Sequence, residues 1–307
     1  MANPEKIAVL LLAHGSPDSV EEVPEFLLRV TGGRPLPQPV IDEVKHRYSL
    51  IGRSPLTELT LKQGELLACE LGLSVYVGMR NWKPFIADVL LAMRSDGIEH
   101  AVAICLAPQN SRTSVGLYRS DLTSNTPQFT FDFVESWHDH PRLIKGFAEK
   151  LRSGLDHARY EAGTKNIPII FTAHSVPERT IAEGDPYESQ AKETASLVAR
   201  EAALTSDDWT FAFQSQGMSG AAWLGPRVED TILGLKEKGH RGVFLQPIGF
   251  LCDHVEVLYD IDIGFRQFAE THGMRLWRAE SLNDSPLLAS ALADVARTRL
   301  VAIAGRR

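Results

Sequence analysis

Residues 6–17 read KIAVLLLAHGSP. From Ile7 to Ala13 no residue is polar, so a strand built from this run has no face to offer water. That is the pattern of a strand covered on both sides in a parallel sheet. His14-Gly15-Ser16-Pro17 then ends it sharply. Residues 167–177, IPIIFTAHSVP, repeat the plan, with an apolar run closed by His174-Ser175-Val176-Pro177. Ala-His-Gly-Ser-Pro set against Ala-His-Ser-Val-Pro points to an internal duplication.

Working outward, strands are expected at 6–13, 73–77, 101–106 and 129–134, and again at 167–173, 209–214, 242–250 and 274–279. Helices are expected near 20–30, 39–50, 56–71, 84–95, 115–122 and 141–155. A second set is expected at 185–204, where Asp185-Pro186 reads as N-cap and first-turn proline, and at 226–238, 253 onward and 286–304. TGGRPLPQP (31–39) is loop. Strands alternating with helices imply an α/β protein with parallel sheets and right-handed crossovers. The polar stretch 155–166 separates the halves, giving domains 1–160 and 161–307, with the last helix free to pack back on the first.

With 307 residues the chain is long enough for two domains. It is 44% hydrophobic and 23% charged, a globular composition. A net charge of -7 argues against nucleic acid or an anionic membrane as main partner. Cys69, Cys105 and Cys252 lie far apart, which excludes a four-cysteine zinc or iron–sulfur site and fits a reducing, cytoplasmic location. The N-terminal apolar run is too short for a signal peptide, and no stretch approaches the ~20 residues of a membrane span.

The chemistry concentrates in residues 247–262, PIGFLCDHVEVLYDID. Asp253, Glu256 and Asp260 are spaced for one helix face, and Val257, Ile261, Phe265 and Phe268 for an apolar stripe beside it. Asp253 with Glu256 is equally a capping box. His174 and Glu256 belong to the same half and each follows a strand end, where open α/β sheets build their sites. Such a pair can bind a divalent cation, accept protons, or do both. Asp185-Pro-Tyr-Glu188 reads as a helix start and His138-Asp139-His140 as a polar loop. HExxH is absent, and so are GxGxxG and GxxxxGK[ST], so no nucleotide cofactor is expected.

PIGFLCDHVEVLYDID, together with FTAHSVPER (171–179), FQSQGMSGAAWLGP (213–226) and RYSLIGRSPL (47–56), resembles the ferrochelatase family along nearly the whole chain, most nearly its soluble bacterial branch that metallates coproporphyrin III. The resemblance implies two Rossmann-like, chelatase-type domains, each a four-stranded parallel sheet flanked by helices, with a porphyrin cleft between them. It implies Fe²⁺ and a porphyrin as substrates and haem as product; a monomer is expected. His174 and Glu256 would bind Fe²⁺ and take up pyrrole protons. The porphyrin-binding residues would be His14, Arg47, Tyr48, Ser54 and Tyr118. Metallation removes two N–H protons and strips a cation of water, and holding the ring bent exposes its nitrogen lone pairs. Four propionates need basic partners, for which Arg47, Arg53 and Lys45 lie together. Trp223, Leu224, Ile248 and Phe250 are candidates to cover the ring, or simply core.

Three departures from the family pattern matter. His14 stands where the coproporphyrin branch has a metal-facing tyrosine, which makes His14 a candidate axial ligand to haem iron. Val30 replaces an arginine, leaving Arg29 or Arg34 to hold a propionate. Gly264 interrupts the acidic row, against an auxiliary metal site. No cysteine follows Cys252, so a C-terminal iron–sulfur cluster is not expected. The alternatives are protoporphyrin IX metallation, a sirohydrochlorin-type chelatase, and a non-catalytic haem-binding protein.

Overall fold

A computed structural model describes residues 6–125, 130–216 and 222–305. The chain forms two compact units, one of residues 1–108, 114–137 and 283–307, the other of 109–113 and 138–282.

The first unit is built on β1 (Ile7–Ala13), β2 (Ser74–Met79), β3 (His100–Cys105) and β4 (Thr130–Val134), all parallel in the order β2-β1-β3-β4. Residues 8–12 of β1 are fully buried, as the absence of polar residues required. The helices are α1 (Val23–Val30), α2 (Gln38–Ile51), α3 (Leu56–Leu71), α4 (Ile86–Ser95) and α5 (Val115–Asn125), with a 3₁₀ turn at Val20–Glu22. Ile86, Val89, Leu90 and Met93 of α4 join Val115, Tyr118 and Leu122 of α5 over one face of the sheet.

The second unit contains α6 (Pro141–Ala162), β5 (Ile169–His174), α7 (Glu178–Ala182), α8 (Tyr187–Glu201), β6 (Trp209–Gln214), α9 (Val228–Glu237) and β7 (Gly242–Pro247). After these come α10 (Val255–Leu258), a π-helical turn (Asp260–Phe265), α11 (Arg266–Thr271) and β8 (Arg275–Arg278). Its sheet is again parallel, in the order β6-β5-β7-β8. The same order in both sheets is the duplication that the two histidine turns announced.

The division differs from the expected boundary near 160. Helix α6 belongs to the second unit because its apolar stripe, Leu143, Phe147, Leu151 and Leu155, is buried there and the helix packs on β7, β8 and α8. Gly154 sits so close to β7 that a Cβ would stand 2.8 Å from the Phe244 ring. The last helix, α12 (Pro286–Gly305), belongs to the first unit and packs on α3 and β3. Ser290 Oγ donates to Glu70 across that contact at 3.1 Å. Among the described residues no helix is long and apolar enough to cross a membrane.

Candidate active site

In the second sheet the strand order reverses between β5 and β7, the switch point where open α/β sheets open a crevice. His174 is the last residue of β5, and Glu256 follows β7 by one loop. His174 Nδ1 is hydrogen-bonded to the Ser175 carbonyl. A carbonyl only accepts, so Nδ1 carries the proton and Nε2 keeps its lone pair. Nε2 stands 3.4 Å from Glu256 Oε2, with the two side chains 36% and 33% exposed. Both atoms are acceptors when the ring is neutral. A proton or a divalent cation satisfies the two at once.

The backbone under His174 is held on several sides. Its carbonyl accepts from Tyr187 Oη at 3.0 Å, Ser175 N donates to the Gln214 carbonyl at 2.7 Å, and Ser175 Oγ donates to the Leu224 carbonyl at 2.9 Å. Burial, with Glu256 and Asp185 nearby, pushes the Tyr187 hydroxyl well above its ordinary value, so it remains a donor. The Glu256 carbonyl accepts from Gln214 Nε2 at 3.2 Å, and Gln214 Oε1 accepts from Thr172 Oγ1 at 2.7 Å. Gly249 lets this loop lie against β5: a Cβ there would be 3.3 Å from the Ala173 backbone.

The expected single row of carboxylates is not what forms. Asp253 precedes the helix, whose N-cap is His254, and it accepts from Ser281 Oγ at 2.8 Å. Asp260 accepts from Ser215 Oγ at 2.6 Å, while Ser215 itself takes a positive φ of 58°. Only Glu256 of the three turns to His174. Asp253 lies before the helix and is held by Ser281, and Asp260 opens a wide turn, Asp260–Phe265, in which Gly264 N bonds back to the Tyr259 carbonyl at 2.8 Å, five residues earlier. The apolar stripe survives, with Val257, Ile261 and Phe265 buried and Phe268 packed against them. Among the described residues no group of three or more His, Cys, Asp or Glu is placed to hold a metal.

In the first unit His14 follows β1, the equivalent strand. Its side chain is exposed, Nδ1 donates to the Gly15 carbonyl at 3.0 Å, and the ring meets Phe26 edge-on at 5.8 Å. Tyr48 is buried, with its hydroxyl 3.1 Å from Ser16 Oγ. Ser54 is buried at the turn before α3. Arg47 is part-exposed and paired with Glu43 at 3.0 Å. Tyr118, on α5, lies in the core cluster with the buried face of α4, where burial raises its hydroxyl well above the ordinary value. Of the five residues expected to touch porphyrin, the structure therefore exposes His14 and Arg47 and buries the rings of Tyr48 and Tyr118. Arg29 pairs with Glu25 at 2.8 Å and stacks on Phe85, and Arg34 Nε donates to the Thr31 carbonyl at 3.2 Å. Ile248 and Leu224 are core, and Phe250 meets His254 edge-on. Part of the 213–226 motif, residues 217–221, lies outside the described residues.

Sequence reasoning passed over Tyr187, Gln214 and Thr172. A polar residue closing an otherwise apolar strand, as Gln214 does, was the available signal. Asp185 does not merely start a helix. It accepts from Tyr187 N at 3.0 Å and from Arg112 N at 2.7 Å, tying down the 109–113 segment.

Two parallel four-stranded sheets of one order, with a histidine at or just past the end of the matching strand of each, define a chelatase-type α/β protein. The fold is similar to the sirohydrochlorin chelatase SirB of Bacillus subtilis subspecies spizizenii, solved in complex with cobalt (TM-score 0.55, 10% identity, 95% of this chain and 94% of that one). It is also similar to CbiX, the terminal enzyme of sirohaem biosynthesis in denitrifying bacteria (TM-score 0.51, 13% identity, 95% and 98%). At such identities the likeness is one of fold alone. The sequence goes further. The Ferrochelatase family model matches residues 6–300. A ferrochelatase of Acidobacterium capsulatum is 55% identical over 96% of this chain and 95% of its own. A coproporphyrin III ferrochelatase of a Geobacillus species is 34% identical over 96% and 98%. The chain belongs to the ferrochelatase family. It is an enzyme of porphyrin metallation, taking ferrous iron and a porphyrin as substrates and giving haem.

Proposed function

We propose that the porphyrin is coproporphyrin III and that His174 and Glu256 carry out the insertion. The observation behind the second part is the 3.4 Å approach of two acceptor atoms, His174 Nε2 and Glu256 Oε2. Fe²⁺ exchanges water for these two atoms and passes from them to the pyrrole nitrogens. The two N–H protons of the ring leave as iron arrives, and the same imidazole and carboxylate accept them. Two donors hold a cation firmly enough to dehydrate it and loosely enough to release it.

His14, Arg47, Tyr48, Ser54 and Tyr118 form the porphyrin-binding side. His14 and Arg47 act directly, His14 through Nε2 as axial ligand to the product iron. Tyr48 acts by fixing Ser16, and Ser54 and Tyr118 support the surface from behind. The choice of coproporphyrin is supported by three cations close in sequence, Lys45 and Arg47 on α2 and Arg53 in the turn after it; Arg47 and Arg53 now pair with Glu43 and Asp18 and can exchange these for propionates. The three free cysteines fit a reducing cytoplasm. The enzyme acts there as a monomer, which light scattering after gel filtration tests.

Steady-state iron insertion into coproporphyrin III and protoporphyrin IX tests the substrate. At least tenfold higher kcat/KM for coproporphyrin III is expected, and equal or reversed values overturn the choice. Glu256→Gln should lose at least tenfold in kcat with either porphyrin. Unchanged turnover removes the role given to the pair.

A further inference from the structure

Arg278 ends β8 with its side chain only 13% exposed. Its Nε and Nη2 each donate to one oxygen of Asp262 at 2.8 Å, a parallel fork. The same Nη2 lies 3.3 Å from Asp253 Oδ1, and Nη1 donates to the Ala279 carbonyl at 2.9 Å. Asp253 and Asp262 stand on either side of Glu256 in the chain, and between them runs α10, four residues long, and the opening of the π-helical turn. Val257 and Ile261 bury the apolar stripe of this continuous helical segment, and Gln214 Nε2 holds the Glu256 carbonyl at 3.2 Å, while Arg278 holds the acids at both flanks. The direction of Glu256 thus depends on those flanks as well as on the buried stripe. The two acids have chemistry that Fe²⁺ would accept, yet the guanidinium occupies them.

We infer that Arg278 is a positioning residue for metal insertion: one guanidinium clamps both flanks of the turn that aims Glu256 at His174. The inference rests on the role proposed above for Glu256. Lysine cannot replace it, since an ammonium presents a point charge and no planar fork.

The test uses the full-length enzyme with Zn²⁺ and coproporphyrin III, with rates normalised to folded protein by far-UV dichroism and cooperative melting. Arg278→Met should lower kcat at least tenfold while the porphyrin KM stays within threefold. Arg278→Lys should recover less than half of the lost rate. In a Glu256→Gln background Arg278→Met should cost no more than a further twofold, because its effect runs through the missing carboxylate. Normal kcat per folded molecule in either Arg278 variant overturns the clamp, and so does a loss confined to KM. If Arg278→Met does not fold, Arg278→Lys is judged by the same kcat and KM criteria. If Glu256→Gln alone keeps full rate, the metal-passing role has failed. If it collapses while the Arg278 variants work normally, the clamp alone has failed.

Discussion

Gly15→Ala should unsettle the first unit by an amount that the geometry separates into two parts. Gly15 has a φ of +83°, and a Cβ there would lie 2.8 Å from Trp82 N, 2.9 Å from Trp82 Cβ and 3.2 Å from Met79 Cβ. The left-handed backbone alone disfavours a side chain by about 1–2 kcal/mol. The overlap adds ~1–3 kcal/mol, because its neighbours cannot step aside. Trp82 is buried, its indole N–H lies 3.3 Å from Asp18, and the backbone just before it is tied to this turn through Asn81 N and the His14 carbonyl at 3.0 Å. The sum, about 2–5 kcal/mol, is a large fraction of a stability of ~5–15 kcal/mol. Gly72→Ala isolates the first part: Gly72 has a φ of +64° and nothing within 4 Å of its Cβ position. Urea unfolding followed by tryptophan fluorescence and dichroism measures both. A Gly15→Ala loss no larger than that of Gly72→Ala would show that the turn carrying His14 is not packed as described. Any Gly15→Ala protein that stays folded should bind haem more weakly, since His14 moves with Gly15.

Further outcomes follow from other parts of the molecule. The haem complex of His14→Ala should lose the imidazole-type visible spectrum, and a retained six-coordinate band refutes axial ligation by His14. Stability should fall above pH 10. Tyr118 and Tyr187, raised chiefly by burial, keep their protons when folded, whereas the unfolded chain releases them near 10, so it binds fewer protons and unfolding gains with rising pH. Each contributes a slope of up to about 1.4 kcal/mol per pH unit. Thermal melts between pH 8 and 11 should show this slope, and Tyr118→Phe should flatten it. Gly154→Ala should destabilise by up to about 2 kcal/mol, because the clash with Phe244, ~1–3 kcal/mol, is offset by only ~1 kcal/mol that alanine gains in a helix. A higher melting temperature would contradict the contact.

What could be read from the chain was whatever one residue's neighbours in sequence decide. An unbroken apolar run such as 7–13 has few fates, and two of them closed by histidine turns foretold two parallel sheets. That His174 and Glu256 stand near one another was legible for the same reason, one ending a strand and the other following one by a loop. The unit boundary was not, because α6 is amphipathic wherever it packs, and only the stripe buried against β7 and β8 assigns it. Nor was the wide turn after Tyr259, since its i to i−5 bond leaves the helical apolar spacing almost intact. Tyr118 was named only through the family resemblance, and its burial against α4 is a tertiary fact. Arg278 was read only as part of a last strand. Its acidic partners lie 16 and 25 residues earlier in the chain, and no local pattern links them.

His14 and His174 each lean Nδ1 on the carbonyl of the very next residue. The choice of which nitrogen stays basic is thus made by the peptide unit itself, with no dependence on a distant side chain. Whatever is rebuilt around either ring, the peptide unit keeps Nδ1 occupied and leaves Nε2 as the nitrogen able to accept.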